Sequence, residues 1–537
     1  MIRRPLSEIS HFFGESYLNR LKMFSGVVGY GLDIDDEVKV ELNPDRLDLA
    51  SFHSLERAMN LYYEGRESPL TLTWTDMQLL HVGKDALGLR PFILCFVAEG
   101  SSLGEKVQDL IDFQERIHSS IGKDRKKVSI GLHDMDKIHP PLTYVTARQE
   151  ELSFTTYDGF QGTIREIISG HPKGMLYGVL IGSSDLAPVI LDSEGSVLSV
   201  PPIVNGNHSL VDPGTSKLFV DITGTDFRAL RDSFYLLAGE LSSYGFTIAV
   251  PYLDIPRSRK RHLMAFHNRS VRVSRREIKE VLGREAVSAD PVPALARMGL
   301  SAIPEGGGFI VTVPGNRIDI MGAVDIIEDY AKSSGFDAIP ELEPQIATAG
   351  EVLASTRKAE TLRGLGIGMG FQEIMTFVVT SSKHYNNREY SGGVSIINPK
   401  SVDNSVIRDR LYLNTLEFFS NNKNRGYPQR VFEIGKVVVN TEEEPRLCFG
   451  LTGSRASIND ARKYAEYVLS RVSRTSISYQ PATSGDFIDG RYVLVSLGSV
   501  EAGFMGEVHP SVLQEFDLQM PVAFVEFRVD KLMQHTP

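Results

Sequence analysis

Apolar and polar positions alternate along residues 311–320 in a strand-like run, and from Ala323 they recur at three and four, the spacing of an amphipathic helix. Gly335 follows the last periodic position, where a helix C-cap belongs. The same succession occurs earlier in the chain. Residues 40–60, VELNPDRLDLASFHSLERAMN, run parallel to residues 311–331, VTVPGNRIDIMGAVDIIEDYA, with Arg46-Leu47-Asp48 matching Arg317-Ile318-Asp319. Upstream, LSEISHFFG at 6–14 resembles VSRREIKEVLG at 273–283. Each copy reads as strand, helix, short connection, hairpin, helix: a repeated small αβ module.

The pattern divides the rest of the chain. The first copy with a polar connection through Thr71–Thr75 occupies 1–80. A second region, 85–245, opens with the apolar run Phe92–Val97 and continues through an amphipathic helix, Leu103–Ile121, and mixed strands to Val220. A helix over Asp226–Tyr244 closes it. The second copy, 268–342, carries a capping box in Ser274 and Glu277 and a helix start at Asp290-Pro291. Residues 350–537 alternate helices with strands at Gln429–Asn440, Arg446–Thr452, Tyr492–Leu497 and Ala523–Phe527, which predicts an α+β domain around a largely antiparallel sheet.

Composition narrows the class. A chain of 537 residues, 42% hydrophobic and 23% charged, has room for three or four ordinary domains. The two cysteines, Cys95 and Cys448, lie far apart in apolar surroundings and read as buried thiols in a reducing compartment, not as a disulfide or zinc frame. No apolar run reaches membrane-spanning length and MIRRPLSEIS lacks a signal peptide's hydrophobic core, so the expectation is a cytoplasmic protein. A net charge of −11 argues against general nucleic-acid binding. From Arg257 to Lys279, however, nine Lys/Arg (Arg257, Arg259, Lys260, Arg261, Arg269, Arg272, Arg275, Arg276, Lys279) face one acid, Glu277. That strip reads as a phosphate-backbone contact or as a solvated linker and helix face. The cluster Lys123, Arg125, Lys126, Lys127 reads as a solvated turn.

The second copy also concentrates acids. Asp319 ends its strand, and Asp325, Glu328 and Asp329 follow at spacings that place them on one helical face, a turn apart, where the first copy has Ser54, Arg57 and Ala58. The shared Arg-x-Asp reads as architecture. The added carboxylates read as a specialisation, suited to a hard cation such as Mg²⁺ or to complementing the helix dipole. Three turn-rich motifs, Gly131-Leu132-His133-Asp134, His171-Pro172-Lys173-Gly174 and Pro201-Pro202-Ile203-Val204-Asn205-Gly206, are structural turns or loop-borne sites. Phe219-Val220-Asp221-Ile222-Thr223-Gly224-Thr225 is similar to the nucleophile loop of haloacid-dehalogenase-type phosphatases, but the further acidic pair such enzymes need is missing before the second copy. A strand-to-helix turn with Thr225 or Asp226 as N-cap is the simpler reading. Gly364-Leu365-Gly366-Ile367-Gly368-Met369-Gly370 lacks the Lys-Ser/Thr of a P-loop and follows a helix.

Taken in order, VELNPDRLDLASFHSLERA, RKKVSIGLHDMDKI, HPKG, SVPPIVNG, FVDITGTD, the Arg-x-Asp-Ile segment ending DIIEDYA, GMGFQEIMTF, INPKSVDNSVIRDRLYLNTLEFFSNNKNRGYPQRVFEIG and GEVHPSVLQEF resemble the β subunit of phenylalanyl–tRNA synthetase in its archaeal–eukaryotic form. The resemblance implies a multidomain α+β chain with an editing-like domain at 85–245, a metal-bearing module at 268–342 and a class II synthetase-like domain at 350–537 that has lost its chemistry. It implies an α subunit that binds ATP and phenylalanine, an (αβ)₂ heterotetramer, and tRNA(Phe) as the acceptor. The family's Mg²⁺ ligands carry over onto Asp319, Asp325, Glu328 and Asp329. Asn316 and Met321-Gly322 depart from residues commoner in the family nearby. The editing domain hydrolyses tyrosine wrongly joined to the tRNA, because an apolar pocket cannot strongly reject an isostere that only adds a hydroxyl. Candidates for that pocket are His133, Asp134 and Asn205. Class II cores grip ATP with an arginine in their last motif, and the counterpart here, Gly503-Phe504-Met505-Gly506-Glu507-Val508-His509-Pro510, has none. Asn398-Pro399 and Arg408 then read as structural, and the loop 421–429 as interface. Two readings from other classes remain: a Mg²⁺-dependent phosphatase built on Asp221, active as an isolated chain, and a structured-RNA-binding module built on the basic strip.

Overall fold

A computed structural model describes residues 1–14, 16–65, 70–182, 184–254, 269–283, 290–339, 341, 343, 348–386, 388–391 and 394–533. The chain is mixed α/β with several sheets and divides into two compact units, Met1–Glu343 and Pro344–Pro537.

In the N-terminal unit, β1 (Ile2–Pro5), β2 (Gly31–Ile34) and β3 (Glu37–Glu41) form an antiparallel sheet in the order β1-β3-β2. Val38 and Val40 alternate inward from its central strand. They share a core with Ile9, Leu21, Phe24, Leu55 and Met59 of the helices Leu6–Phe13, Ser16–Val28 and Phe52–Glu64.

The middle of the unit is a nine-stranded sheet. Its strands are β4 (Leu72–Val82), β5 (Phe92–Glu99), β6 (Val128–Asp134), β7 (Leu142–Arg148), β10 (Leu186–Leu191), β11 (Val197–Val200), β12 (Val204–Asn205), β13 (Lys217–Gly224) and β14 (Thr247–Asp254), with a small hairpin of β8 (Ser153–Thr155) and β9 (Gln161–Thr163) alongside. The order is β12-β11-β10-β7-β4-β14-β5-β13-β6. Both faces are covered. Leu94 and Phe96 of β5 pack with the helices Lys106–Ser119 and Phe227–Ser243, while Ile93, Cys95 and Val97 point into a second core. Two sequence expectations change here. The stretch Thr71–Thr75 is not a polar connection, because from Leu72 it pairs in parallel with β14, some 176 positions later at Leu72↔Ile248. Residues Gly131–Asp134 are not a turn but the end of β6, a fully buried strand.

The second copy repeats the first. β15 (Arg269–Ser274), β16 (Ser301–Glu305) and β17 (Gly308–Val313) pair antiparallel in the order β15-β17-β16. The helices Arg275–Leu282, Pro291–Arg297 and Ala323–Ser334 cover a core of Val273, Ile278, Leu295, Val311 and Tyr330. The expected capping box is present, with Ser274 Oγ accepting from the Glu277 amide at 3.1 Å and Glu277 Oε2 from the Ser274 amide at 2.8 Å.

The C-terminal unit has a seven-stranded sheet of β18 (Gln372–Glu373), β21 (Gln429–Val439), β22 (Glu442–Thr452), β23 (Ile477–Pro481), β24 (Phe487–Leu497), β25 (Val500–Val508) and β26 (Val522–Arg528). The order is β18-β21-β22-β26-β25-β24-β23, antiparallel except for β18 with β21. β19 (Val379–Thr380) and β20 (Val406–Ile407) pair separately. The helices Ala354–Gly368 and Ile458–Val472 pack on one face and Tyr412–Asn421 on the other. The glycine-rich stretch serves this packing. Gly366 sits where a Cβ would crowd the Phe432 ring, and Gly370 takes the positive φ, +80°, that ends the turn. Among the described residues no helix is long and apolar enough to cross a membrane.

Candidate functional site

Arg317 organises the acidic end of the second module. Its buried guanidinium donates from Nε and Nη2 to the two oxygens of Asp319, at 3.0 and 2.7 Å. Nη2 also reaches Asp329 Oδ2 at 2.6 Å, and Nη1 the Met298 carbonyl at 2.9 Å. Asp325 Oδ2 accepts the amides of Met321 and Gly322 at 2.7 and 2.8 Å and so caps the helix Ala323–Ser334. Glu328 is exposed and pairs with Lys332 one turn on, at 3.0 Å. The expected common face is therefore split. Neighbouring helix positions lie about 100° apart, so Asp329 turns to the core while Glu328 turns to solvent. Burial pushes the Asp329 carboxyl up, and Arg317 acts against that push.

The donors are the hard oxygens a Mg²⁺ ion takes. Yet among the described residues no group of three or more His, Cys, Asp or Glu side chains is arranged to hold a metal. These four carboxylates do not by themselves form a cage. The first copy has the same architectural pair: Arg46 donates to Asp48 at 2.8 and 3.0 Å, both residues buried. Against the upward push of burial, Arg46 and then Arg317 keep the Asp48 carboxyl below its ordinary range.

His133 lies on β6 with no solvent exposure, between Ser209 and Asp221. Its Nδ1 is 2.8 Å from Ser209 Oγ and its Nε2 is 2.9 Å from Asp221 Oδ2. Antiparallel pairing of β6 with β13 sets this contact, by placing Gly131 opposite Asp221 and His133 opposite Phe219. A Cβ on Gly131 would collide with both Asp221 Oδ2 and His133 Nε2, so glycine is what lets the two meet. Such a buried relay can fix the tautomer of an imidazole and hold a proton. Nearby, Asp192 Oδ2 and His208 Nε2 are buried without a hydrogen-bond partner among the described residues, 3.9 Å apart. Burial, first of all, lowers the His208 pKa.

The other expected pocket residues are placed differently. Asp134 is tied into structure: its Oδ2 accepts from Thr215 at 2.8 Å and pairs with Lys137 at 3.1 Å, while Oδ1 caps the next turn. Asn205 ends the opposite margin of the sheet on β12, four residues before Ser209. Nothing in the sequence pattern singled out Ser209, Asp192 or His208. Ser209 gains meaning only through His133, far back along the chain, and Asp192 and His208 only through each other. Asp221 corrects the phosphatase expectation, since it lies mid-strand on β13, flanked by antiparallel β5 and β6 and bonded to a buried histidine. A phosphoryl nucleophile needs a strand end open to substrate. Asp226 is the N-cap of the following helix.

His171 caps the helix Pro172–Tyr177 and pairs with Asp158 at 2.9 Å. Of the basic strip, Arg257, Arg259, Lys260 and Arg261 lie outside the described residues. Arg272 pairs with Glu305 and Arg276 with Glu280, each at 2.7 Å, and Arg275 lies over the Phe309 ring. Arg125 departs from the solvated-turn expectation: it is buried, bonded to the Ile203 carbonyl at 2.9 Å and to Glu115 at 2.8 Å.

In the C-terminal unit Arg408 is buried and structural, with Glu433 at 2.8 Å, the Thr376 hydroxyl at 2.6 Å and the Lys436 carbonyl at 2.9 Å. The segment Gly503–Pro510 forms most of β25 and the entry to the helix Pro510–Glu515, with no arginine. Met375, Phe377 and Ile397 are 93%, 85% and 90% exposed, an apolar set too bare to be core. They flank the small β19–β20 pair, joined through Arg408 N to Val378 O and Ile396 N to Ser405 O.

Comparison with known proteins gives the following. Residues 271–336 match the family model described as tRNA synthetase B5 domain, and residues 339–529 the one described as phenylalanyl tRNA synthetase beta chain CLM domain. A phenylalanine–tRNA ligase beta subunit from Thermoplasma volcanium is 38% identical over 537 residues, covering 100% of this chain and 99% of its own. One from Thermoplasma acidophilum is 38% identical over 534 residues, covering 99% and 98%. A crystal structure of an N-terminal fragment of the phenylalanyl-tRNA synthetase beta-subunit from Pyrococcus horikoshii is similar in fold, with a TM-score of 0.55 and 24% identity, over 62% of this chain and 99% of that one.

Proposed function

This chain belongs to the family of phenylalanine–tRNA ligase β subunits, and from that premise we propose how its parts share the work of joining phenylalanine to tRNA. The chain is a ligase subunit; its name in the family implies an α partner and tRNA. The synthetic site lies on α, which binds ATP and phenylalanine, and the two chains assemble as an (αβ)₂ heterotetramer in the cytoplasm that charges tRNA(Phe). The observation that carries this division is the C-terminal sheet without the phosphate-gripping arginine: Gly503–Pro510 runs from strand to helix and offers no cation. Residues 350–537 then serve as a scaffold, and the exposed Met375, Phe377 and Ile397 are its contact with α. Phenylalanine-dependent pyrophosphate exchange tests this. The chain alone is inert, and exchange appears on adding an α chain that co-purifies with it. Exchange by the isolated chain would overturn the division.

Residues 85–245, in the nine-stranded sheet that β4 and β14 complete, make up most of an editing domain that hydrolyses Tyr-tRNA(Phe). Its support is the buried His133 relay with Ser209 and Asp221, near the Asp192–His208 pair, whose facing atoms lack a hydrogen bond among the described residues. Of the expected trio, His133 positions or relays a proton, Asp134 shapes the turn, and Asn205 ends the edge strand four residues before Ser209. His133→Gln slows deacylation of Tyr-tRNA(Phe) by the assembled ligase at least about 100-fold, the usual weight of general acid–base help, with aminoacylation unchanged. Equal editing by variant and parent would remove His133 from that role.

Enzymes of this family use Mg²⁺. Of the four expected ligands, Asp325 and Glu328 at the start of the helix would face the ion, with Asp319 and Asp329 held behind them by Arg317, an incomplete set that α completes. Asp325→Asn then weakens Mg²⁺ binding by the assembled ligase without affecting the fold of the β chain. Equal Mg²⁺ affinity in the variant would exclude Asp325.

A further inference from the structure

Inside the N-terminal unit a cavity of about 460 Å³ opens where the first module, the start of β4 and the second module meet. That volume is in the range of small-molecule sites, roughly 300–1,000 Å³. Among the described residues four arginines line it against one carboxylate, Asp48. Two are already matched: Arg46 by Asp48, and Arg317 by Asp319 and Asp329. The other two are not. Arg57 donates only to the Gly239 carbonyl, at 2.8 Å. Arg297 donates to the Ser333 carbonyl at 3.1 Å and lies over the Tyr62 ring. Among the described residues neither has a carboxylate within ion-pair distance. The remaining wall is apolar, with Leu61, Leu300 and the half-exposed indole of Trp74.

Arg57 is half-buried and Arg297 exposed, and a guanidinium with no carboxylate in ion-pair distance takes an oxyanion through paired N–H donors. Flat apolar surface beside it favours a ring. We propose that this cavity binds a small ring-bearing molecule with an anionic group, its carboxylate or phosphate held by Arg57 and Arg297 and its ring laid against Leu61 and Leu300. The site is separate from the His133 relay and adjoins the acidic end of the second module, with Arg317 common to both. The ligase reaction supplies a ring-bearing molecule of each kind: AMP, an anion through its phosphate, and phenylalanine, a zwitterion that offers its carboxylate.

Trp74 is the single tryptophan of the chain, so its fluorescence reports the cavity directly. The test is a titration of the full-length β chain, without α, by AMP, by phenylalanine and by inorganic phosphate. A saturable change with AMP assigns a phosphate-bearing ligand, and one with phenylalanine a carboxylate-bearing ligand. In either case Arg297→Met weakens the apparent affinity at least about tenfold, the effect of removing a charged hydrogen bond. Arg297 is exposed, so this variant keeps the fold, which its circular dichroism verifies; Arg57→Lys gives a second, charge-preserving variant with weaker binding. No saturable change with AMP or phenylalanine at millimolar concentration overturns the proposal. So does inorganic phosphate binding as well as either, or binding that neither variant weakens. Because aminoacylation is not the readout, failure here leaves the ligase assignment standing, and failure of pyrophosphate exchange leaves this site standing.

Discussion

Arg408 and Glu433 show what single residues do in the interior. Both are about 2% exposed in their side chains and 2.8 Å apart. Removing one partner leaves the other charge buried without compensation. Glu433→Ala is expected to cost about 3–5 kcal/mol in chemical denaturation, while replacing both residues with leucine costs less. A single substitution as mild as the double one would show that the pair is hydrated. His118 makes a second residue-scale case. Burial, chiefly, depresses its pKa from 6.5 to about 4, with Glu115 opposing, and its neutral Nε2 accepts the Ile130 amide at 2.9 Å. A base whose folded pKa is depressed takes up protons on unfolding. Its contribution is therefore full above about pH 6.5 and lost as pH falls towards 4, by about 3 kcal/mol. Denaturation at pH 7 and pH 4.5 checks this, with His118→Asn expected to flatten the pH dependence.

At the scale of elements, the pairing of β6 with β13 decides whether the His133 relay exists. Gly131→Ala places a methyl group between Asp221 and His133. The expectation is a loss of roughly 2 kcal/mol from overpacking, together with loss of the Asp221–His133 contact. The imidazole's NMR signals would show whether that contact has gone; an unchanged tautomer would contradict this account. Local signals were legible in the sequence wherever an element makes its own bonds. The capping box of Ser274 and Glu277, the N-caps Asp226 and Asp290, and the helices near 106–119 and 227–243 are of this kind. The strand β6 was misread as a turn because its glycine answers a residue 90 positions away, Asp221, and not a bend in its own backbone.

At the scale of the molecule, each unit closes its own core, and the C-terminal unit leaves apolar side chains bare beside β19 and β20. Burying them against α is the expected use of that surface. Phe377→Asp should weaken association with α by roughly 30-fold or more, the weight of a central contact, while the β chain alone keeps its secondary structure. Analytical ultracentrifugation of the mixed chains measures it, and undiminished association would move the interface elsewhere.

The sequence by itself determined the duplicated module, the Arg-x-Asp pair in each copy, the caps, the antiparallel C-terminal sheet and the family. All of these are written in local periodicity, in residue order or in motifs a few positions long. Tertiary structure alone decided which carboxylates stand together. It turned Asp329 inward to Arg317 and Glu328 out to Lys332, joined Ser209, His133 and Asp221 from three separate segments, and set Arg57 and Arg297 around one cavity with no carboxylate among the described residues in ion-pair distance. The physical reason is that helix and strand periods assign a side chain to a face of its own element. What that face meets depends on non-local pairing and burial, which the local pattern does not encode.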